Sequence, residues 1–367
     1  MRPLHLLLPI LVLSFPSPGI QAAEKWLPGP AAKKVLGQPD FETESVVEDE
    51  QGLSDPWDVE IDPTSGKVFV ADANHSRVLR YASYEALANH APAEAVFGQA
   101  DFDVSVNAAG KKGLFNPRGI FIDHTGTLWV ADFRNHRVLW YENASSAMSH
   151  PDADGVIGKP DFDDTDSGLT ASRIGFPYDV VVDRNGNLFV CSSANDRVLM
   201  FPDAKANGSS ASATLVLGQE GFEVAGENSD DDGMWAPTGL EIDSAGNLYV
   251  SDVGNHRGLR FDNAALKNDG DPADAVFGQT GLNVPSPGSG GGAKGLSSPR
   301  DMIVDGSGTL WIADDGNNRV VGFVSPTSVT TDPSATYVIG QPDLDTSVSG
   351  LDDKSLDNPK GLGVDAA

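Results

Sequence analysis

A single cysteine, Cys191, stands in a chain of 367 residues, so no intrachain disulfide is available and stability has to come from packing. Basic residues are also scarce: 25 Lys and Arg face 53 Asp and Glu, a formal charge of -28. Binding to a nucleic-acid backbone or an anionic bilayer rests on clustered cations, so both partner classes are disfavoured. The excess of acid reads as solubility. Long apolar runs are missing except near the start, where residues 1–23 carry Arg2, the run LLLPILVLSF and the small pair Ala22 and Ala23. That is the pattern of a cleaved signal peptide. The run is short for a bilayer and contains Pro9, which makes a permanent anchor the weaker reading. The expectation is a secreted or periplasmic protein with no membrane span after cleavage.

What the chain does contain is one unit written repeatedly. GLFNPRGIFIDHTGTLWVADFRNHRVLWY, starting at Gly113, has near-copies from Gly52, Arg173, Met234 and Gly295, and a short sixth from Ser355. The prolines Pro56, Pro117, Pro177, Pro237, Pro299 and Pro359 mark a period of 60 to 62 residues. A second marker keeps step: VLGQPDF from Val35, VFGQADF from Val96, VIGKPDF from Val156, VLGQEGF from Val216, VFGQTGL from Val276 and VIGQPDL from Val338. Repeats of this kind form one extended body, so residues 24–367 are expected as a single domain. Its units lie near 52–99, 113–159, 173–219, 234–279 and 295–341, with a partial unit from 35–38 plus 355–367.

Each period holds four short apolar segments separated by turn residues. In the second they are strand a, Arg118 to Asp123; strand b, Thr127 to Asp132; strand c, Arg137 to Tyr141; and strand d, Gly155 to Lys159. Five or six residues rich in Val, Ile, Leu and aromatics indicate strands. A lone four-stranded sheet leaves both faces wet, and radial packing covers them while leaving only short edges. The fold class expected is therefore all-β, a six-bladed β-propeller. The lone strand d at Val35–Gln38 and the lone strand a at Gly361–Asp365 would share an incomplete last blade, which about 30 further residues on the same period would complete.

The Pro, the apolar strand ending in Asp, the VAD strand and the run Asn-His-Arg-Val-Leu resemble the NHL repeat, with NHR itself at Asn135 to Arg137 and Asn255 to Arg257. The resemblance spans residues 35–365 and recurs five times in register. It implies a β-propeller, usually six-bladed. The GQPDF marker is similar to that of exported bacterial NHL-repeat proteins. In that family the fold serves as a platform for proteins or RNA, and in some relatives as an enzyme.

Residues present in every unit are expected to be scaffold, since a catalytic group is needed once. Asp62, Asp123, Asp183, Asp243 and Asp305 close strand a before a turn, where a carboxylate accepts turn amides. Asp72, Asp132, Asp252 and Asp314 precede the Arg of the same unit and are expected to pair with it. His75, His136 and His256 follow the repeat and are read as structural. Cys191 fills the slot held elsewhere by Ala71, Ala131, Ser251 and Ala313, a buried small residue. The stretch NSDDDG, Asn228 to Gly233, has calcium-loop spacing, but Gly239 stands where a bidentate Glu belongs. Asn74, Asn143 and Asn207 begin Asn-x-Ser sequons.

Enzymes related by fold set two comparisons. In peptidylglycine amidating lyases, histidines directly after the strand a proline hold zinc; here those positions are Trp57, Arg118, Tyr178, Thr238, Arg300 and Lys360. Lactonase-type propellers hold calcium or another divalent ion in the channel through Glu and Asn. Glu60 and Glu241 are the candidates for such ligands, without a full set around them. No cofactor is expected, with calcium the one ion kept open.

The post-proline residues vary while their surroundings do not. Trp57, Arg118, Tyr178, Arg300 and Lys360 should ring one channel mouth, with Arg118 and Arg300 opposite each other. Aromatic and Arg side chains are usual anchors of binding surfaces; the alternative is that they only cover the strand entrance. The sequence reading is a monomeric, exported binding or scaffolding module for a protein, glycan or small molecule. The rival is a divalent-metal hydrolase or lyase of lactonase type.

Overall fold

The computed structural model describes residues 11–13, 31–43, 47–284, 292–350 and 352–364. Among these, five antiparallel four-stranded sheets succeed one another, each with its strands in chain order a, b, c, d. Blade 1 is Pro56–Ile61, Lys67–Asp72, Arg77–Ser83 and Ala95–Phe97; blade 2 is Ile120–Ile122, Leu128–Asp132, Arg137–Tyr141 and Gly155–Ile157. Blade 3 is Pro177–Val182, Leu188–Ser192, Arg197–Phe201 and Leu215–Leu217, and blade 4 is Pro237–Ile242, Leu248–Asp252, Arg257–Phe261 and Ala275–Phe277. Blade 5 is Pro299–Val304, Leu310–Asp314, Arg319–Phe323 and Tyr337–Ile339. No helix among the described residues is long and apolar enough to cross a membrane.

The strands read as almost unbroken apolar runs because both faces of each sheet are covered. Phe69 and Ala71 pack toward blade 2, whereas Val68 and Val70 on the same strand belong to the cluster around Leu53 and Tyr81. Each further cluster likewise joins two neighbouring blades: Trp129 and Trp140 with Val190, Phe189 with Leu248, and Tyr249 with Leu310. Burying one such aliphatic side chain contributes roughly 1.5 to 3 kcal/mol, which a separate blade would forgo.

The incomplete sixth blade expected from strands d and a alone is not formed: five four-stranded blades stand among the described residues, and no sixth. The strand Leu362–Val364 stands between the innermost strands of blades 5 and 1. Leu362 N–H donates to Asp301 Oδ2 at 2.7 Å, and Lys360 pairs with Asp55. Among the described residues its one ladder runs parallel to Leu11–Leu13; the rest of the expected leader lies outside the described residues. Val35–Gln38 is not a strand either, as no strand c stands beside it among the described residues. It nevertheless repeats the turn of its sisters: Gly37 has φ +79°, Val35 C=O accepts from His90 N–H at 2.9 Å, and Gly37 bridges to Gly52.

The two sequence markers meet in space. In four blades a fully buried Asp on strand b accepts Nε of a fully buried Arg on strand c at 2.7 Å: Asp72 and Arg77, Asp132 and Arg137, Asp252 and Arg257, Asp314 and Arg319. The guanidinium then reaches the carbonyls of the d to a connection. Arg137 donates to Gly110, Gly113 and, through Nη1, to Phe162 O, the Phe of the GQPDF-type marker. The marker's Gln completes the tie, as Gln99 Nε2 donates to Ser76 O and Val106 O at 2.8 and 2.9 Å. Its Gly must stay Gly: Gly98 has φ +86°, and a Cβ there would lie 2.5 Å from Leu114.

Removing one partner of a buried pair strands the other charge. Asp132→Ala should therefore destabilise the protein by about 3 to 5 kcal/mol in urea unfolding. Cys191 lies fully buried in strand b against Val198, as its slot suggested. Cys191→Ala should change the unfolding midpoint little, and a thiol reagent should label native protein no faster than it unfolds.

Candidate functional site

At the start of strand a the sheet carries an irregularity. Between Pro177 and Val180, as between Pro237 and Leu240 and between Pro299 and Met302, strand a has one residue more than its partner; blade 1 has the same shift between Pro56 and Asp58. A bulge re-aims side chains. It re-aims two consecutive residues, the first toward the cluster around Trp57 and Arg118 and the second against the neighbouring inner strand.

The first of these positions carries the post-proline residues, and the structure brings Arg118, Arg300 and Lys360 onto the ring of Trp57. The Arg118 guanidinium lies over the rings of Trp57, Phe133 and Tyr178, at 3.8, 4.0 and 4.3 Å. Trp57 and Tyr178 themselves meet edge to face at 5.5 Å, and Phe133 and Tyr178 at 4.9 Å. Arg118 Nε and Nη1 are buried without a hydrogen-bond partner among the described residues. Burial pulls its pKa down to about 10. Arg300 and Lys360 also sit against Trp57, at 5.7 and 4.5 Å, but each has a carboxylate: Arg300 Nε donates to Asp315 Oδ2 at 2.7 Å, and Lys360 pairs with Asp55. The expectation that Arg118 and Arg300 face each other across an open mouth is thus corrected. The indole of Trp57 is shared by both.

Phe133 and Asp315 were not anticipated from the sequence. Both occupy the position after the strand b Asp, where the repeats read Ala73, Phe133, Ser193, Val253 and Asp315. That position varies within an otherwise regular unit, as the post-proline one does.

The second bulge position was also missed. It alternates strictly: Asp58, Gly119, Asp179, Gly239, Asp301, Gly361. Each Asp accepts the amide of its own next residue and one from the following inner strand. Asp58 takes Val59 and Ile120, Asp179 takes Val180 and Leu240, and Asp301 takes Met302 and Leu362, at 2.7 to 2.8 Å. The glycines are the counterpart, because a Cβ on Gly119 would sit 2.1 Å from Asp179 Oδ1. Gly119 N–H donates to Tyr178 O at 2.7 Å, and Thr238 Oγ1 to Arg300 O at 2.8 Å. Blade-to-blade links of two kinds thereby alternate around the axis.

Burial raises these carboxyls. Asp58 is pushed up to about 7, while its two amide bonds pull the other way. Asp179 and Asp301 rise for the same reason and through the charge of Asp58. Glu241, which accepts from Val304 N–H at 3.2 Å, is pushed up to about 8. Glu60 rises by burial first and then by the charges of Asp58 and Glu241. Glu60 and Glu241 are only half-buried, so solvent in the channel tempers their shifts. No group of three or more His, Cys, Asp or Glu among the described residues is arranged to hold a metal ion.

The remaining candidates are scaffold. Asp123 takes Thr125 and Thr127 amides and Trp129 Nε1. His136 Nδ1 accepts Phe176 N–H at 3.1 Å and His256 Nδ1 accepts Ser298 N–H at 2.9 Å, while burial lowers His136 to about 4. His75 stands one position earlier and does the work of Asn135, with Nδ1 2.8 Å from Asp72. In the NSDDDG loop the carbonyls of Ser229, Asp230 and Gly233 are engaged by Arg257.

No family model matches the chain. No curated protein matches it either. Solved structures do resemble it weakly. A streptogramin B lyase is 11% identical with TM-score 0.47, over 84% of this chain and 74% of that one. A chain of a nidogen/laminin complex is 15% identical with TM-score 0.47, over 78% and 84%. The virginiamycin B lyase of Staphylococcus aureus is 12% identical with TM-score 0.46, over 81% and 75%. Likeness at this level says nothing about the site.

The channel carboxyls make stability depend on pH. A carboxyl whose folded pKa exceeds its unfolded value of about 4 binds more protons folded than unfolded. Its contribution is complete below that value and is lost as pH rises through the folded values, about 7 for Asp58 and about 8 for Glu241. The melting temperature should therefore fall between pH 5 and pH 8.5. Glu60→Gln, which removes one of these charges, should flatten that fall; an identical slope in the variant would place Glu60 outside the titrating set.

Proposed function

We propose that this chain is an exported NHL-type propeller, built on a six-fold plan, that works as a monomeric binding or scaffolding module. The binding face is the collar of Trp57, Arg118, Tyr178, Arg300 and Lys360. The observation that carries this reading is the Arg118 guanidinium, held by three aromatic rings and unpartnered at Nε and Nη1. Cation–π contacts keep such a side chain in place without neutralising it. Arg118 is therefore the collar's unspent positive charge on a protein of net charge -28. Aromatic surface and Arg together are what interface hot spots consist of. The ligand would be a protein, glycan or small molecule offering an anionic or aromatic group. Because Arg300 and Lys360 already have carboxylates, they contribute less to its capture than Arg118.

The rival reading is a hydrolase or lyase of lactonase type acting in the channel. In its favour is the convergence below the collar of carboxyls with raised pKa values, above all Asp58 and Glu241. A group poised near neutral pH suits acid–base work. Against its metal-dependent form is the lack of a donor set among the described residues. Stoichiometric divalent metal in the purified protein would favour this reading over the first.

The collar is tested with a fluorescent aromatic carboxylate, 2-aminobenzoate, as probe. Arg118→Ala should weaken its binding at least about tenfold, as truncated hot spots cost about 2 kcal/mol or more. Arg300→Ala should have a smaller effect, and neither should shift thermal unfolding by more than a few degrees. Equal affinity of wild type and Arg118→Ala would remove the collar as the binding face.

A further inference from the structure

Blade 3 breaks the rule that the other four obey. Its strand b ends in Ser192, where the others end in Asp72, Asp132, Asp252 and Asp314, yet strand c still begins with a fully buried arginine, Arg197. In the sister blades the two carboxylate oxygens have separate tasks. Oδ1 accepts a backbone amide before the proline, as from Phe115 or Trp235 at 2.7 Å. Oδ2 accepts Arg Nε at 2.7 Å and the amide of Asn135, Asn255 or Asn317 at 2.8 to 2.9 Å. Ser192 Oγ takes over the first task, accepting Gly175 N–H at 3.1 Å. Nothing takes over the second. Arg197 Nε has no hydrogen-bond partner among the described residues, and its Nη atoms reach only carbonyls, of Phe222, Thr170 and Arg173.

Serine is shorter than aspartate by a carbon and an oxygen, so the place of Oδ2 is vacated while the charge it balanced remains. Burial is what pulls the Arg197 pKa down, to about 10, with no neighbouring carboxylate to offset it. A buried guanidinium without a counter-charge is costly. Donors gather around the vacated place: Arg197 Nε–H, the Ser192 hydroxyl, which now donates to Asn195 Oδ1 at 3.0 Å or Gly175 O at 3.3 Å, and Asn195 itself. Turning the Asn195 amide over would present its N–H groups instead, the orientation its sisters use.

We infer that the vacated place in blade 3 is a binding site for a small monovalent anion of halide size, with chloride standing in for the missing carboxylate oxygen. Ser192 and Arg197 are wholly buried and Gly175 is buried beside them, which favours the smallest anions. The protein's negative field opposes anion entry in general. At this one place it is outweighed by a full positive charge at contact distance in a medium of low dielectric. Water could also occupy the place, but would leave the charge unbalanced.

Ligand binding to the native state raises the melting temperature by mass action. At constant ionic strength made up with gluconate, raising chloride from about 1 to about 300 mM should raise the wild-type Tm by about 2 °C or more. Ser192→Asp supplies the oxygen covalently. It should match or exceed the wild-type Tm in high chloride and show no chloride dependence. Crystals soaked in bromide should give an anomalous peak next to Arg197 Nε. A wild-type Tm indifferent to chloride, together with no bromide peak there, would mean that water alone fills the place. A chloride response equal in wild type and Ser192→Asp would put the halide elsewhere and overturn the assignment.

Discussion

The buried arginine at the head of strand c is the interaction on which the rest of the propeller depends. Each blade is a small sheet with little to hold its loops. One guanidinium supplies up to five donors in a rigid fork. Arg137 uses them to bind strand b through Asp132 and three carbonyls of the connections on either side of its blade. The charge is tolerated inside because Asp132 lies 2.7 Å away. This explains why the chain can dispense with disulfides. It also explains why two sequence markers a blade's width apart keep the same period: the arginine of one donates to the main chain of the other.

Fixing the outer and upper parts of each blade this way leaves the inner strands free to specialise. Their first residues sit on a bulge, which frees them from the strand a to strand b ladder to link one inner strand to the next. The same bulge that lifts Tyr178 to the collar turns Asp179 into the channel, where it receives the amide of Leu240. Collar and ring closure are therefore coupled through adjacent residues. The carboxylates that close the ring are held where ionisation is unfavourable, and the cation above them has aromatic faces in place of a counter-ion.

The outer architecture was legible because repetition averages out local ambiguity. Five copies of the proline, the strand and the NHR-type run leave little freedom in where strands begin. That the last blade lacks strands b and c was legible in the period; that without them Val35–Gln38 forms no strand and the count is five was decided by the structure. The collar's membership followed from variation at the post-proline position. Its geometry did not, because Trp57 reaches across the mouth and gathers Arg118, Arg300 and Lys360 onto one ring. The Asp and Gly alternation was visible in the letters, but it acquires meaning only when Asp179 is found where a Cβ of Gly119 would be.

By itself the sequence determined the all-β repeat, the approximate strand spans, the Asp and Arg pairs of four blades, and the small buried slot of Cys191. These are short-range consequences of residue type and spacing, written several times over. Tertiary structure alone decided which side chains converge on the axis, which cations remain unpartnered, and what the single change from Asp to Ser at position 192 leaves behind. Those properties depend on contacts between residues some 60 positions apart, such as Asp58 with Ile120 and Asp179 with Leu240. Only closing the blades around one another brings such residues together.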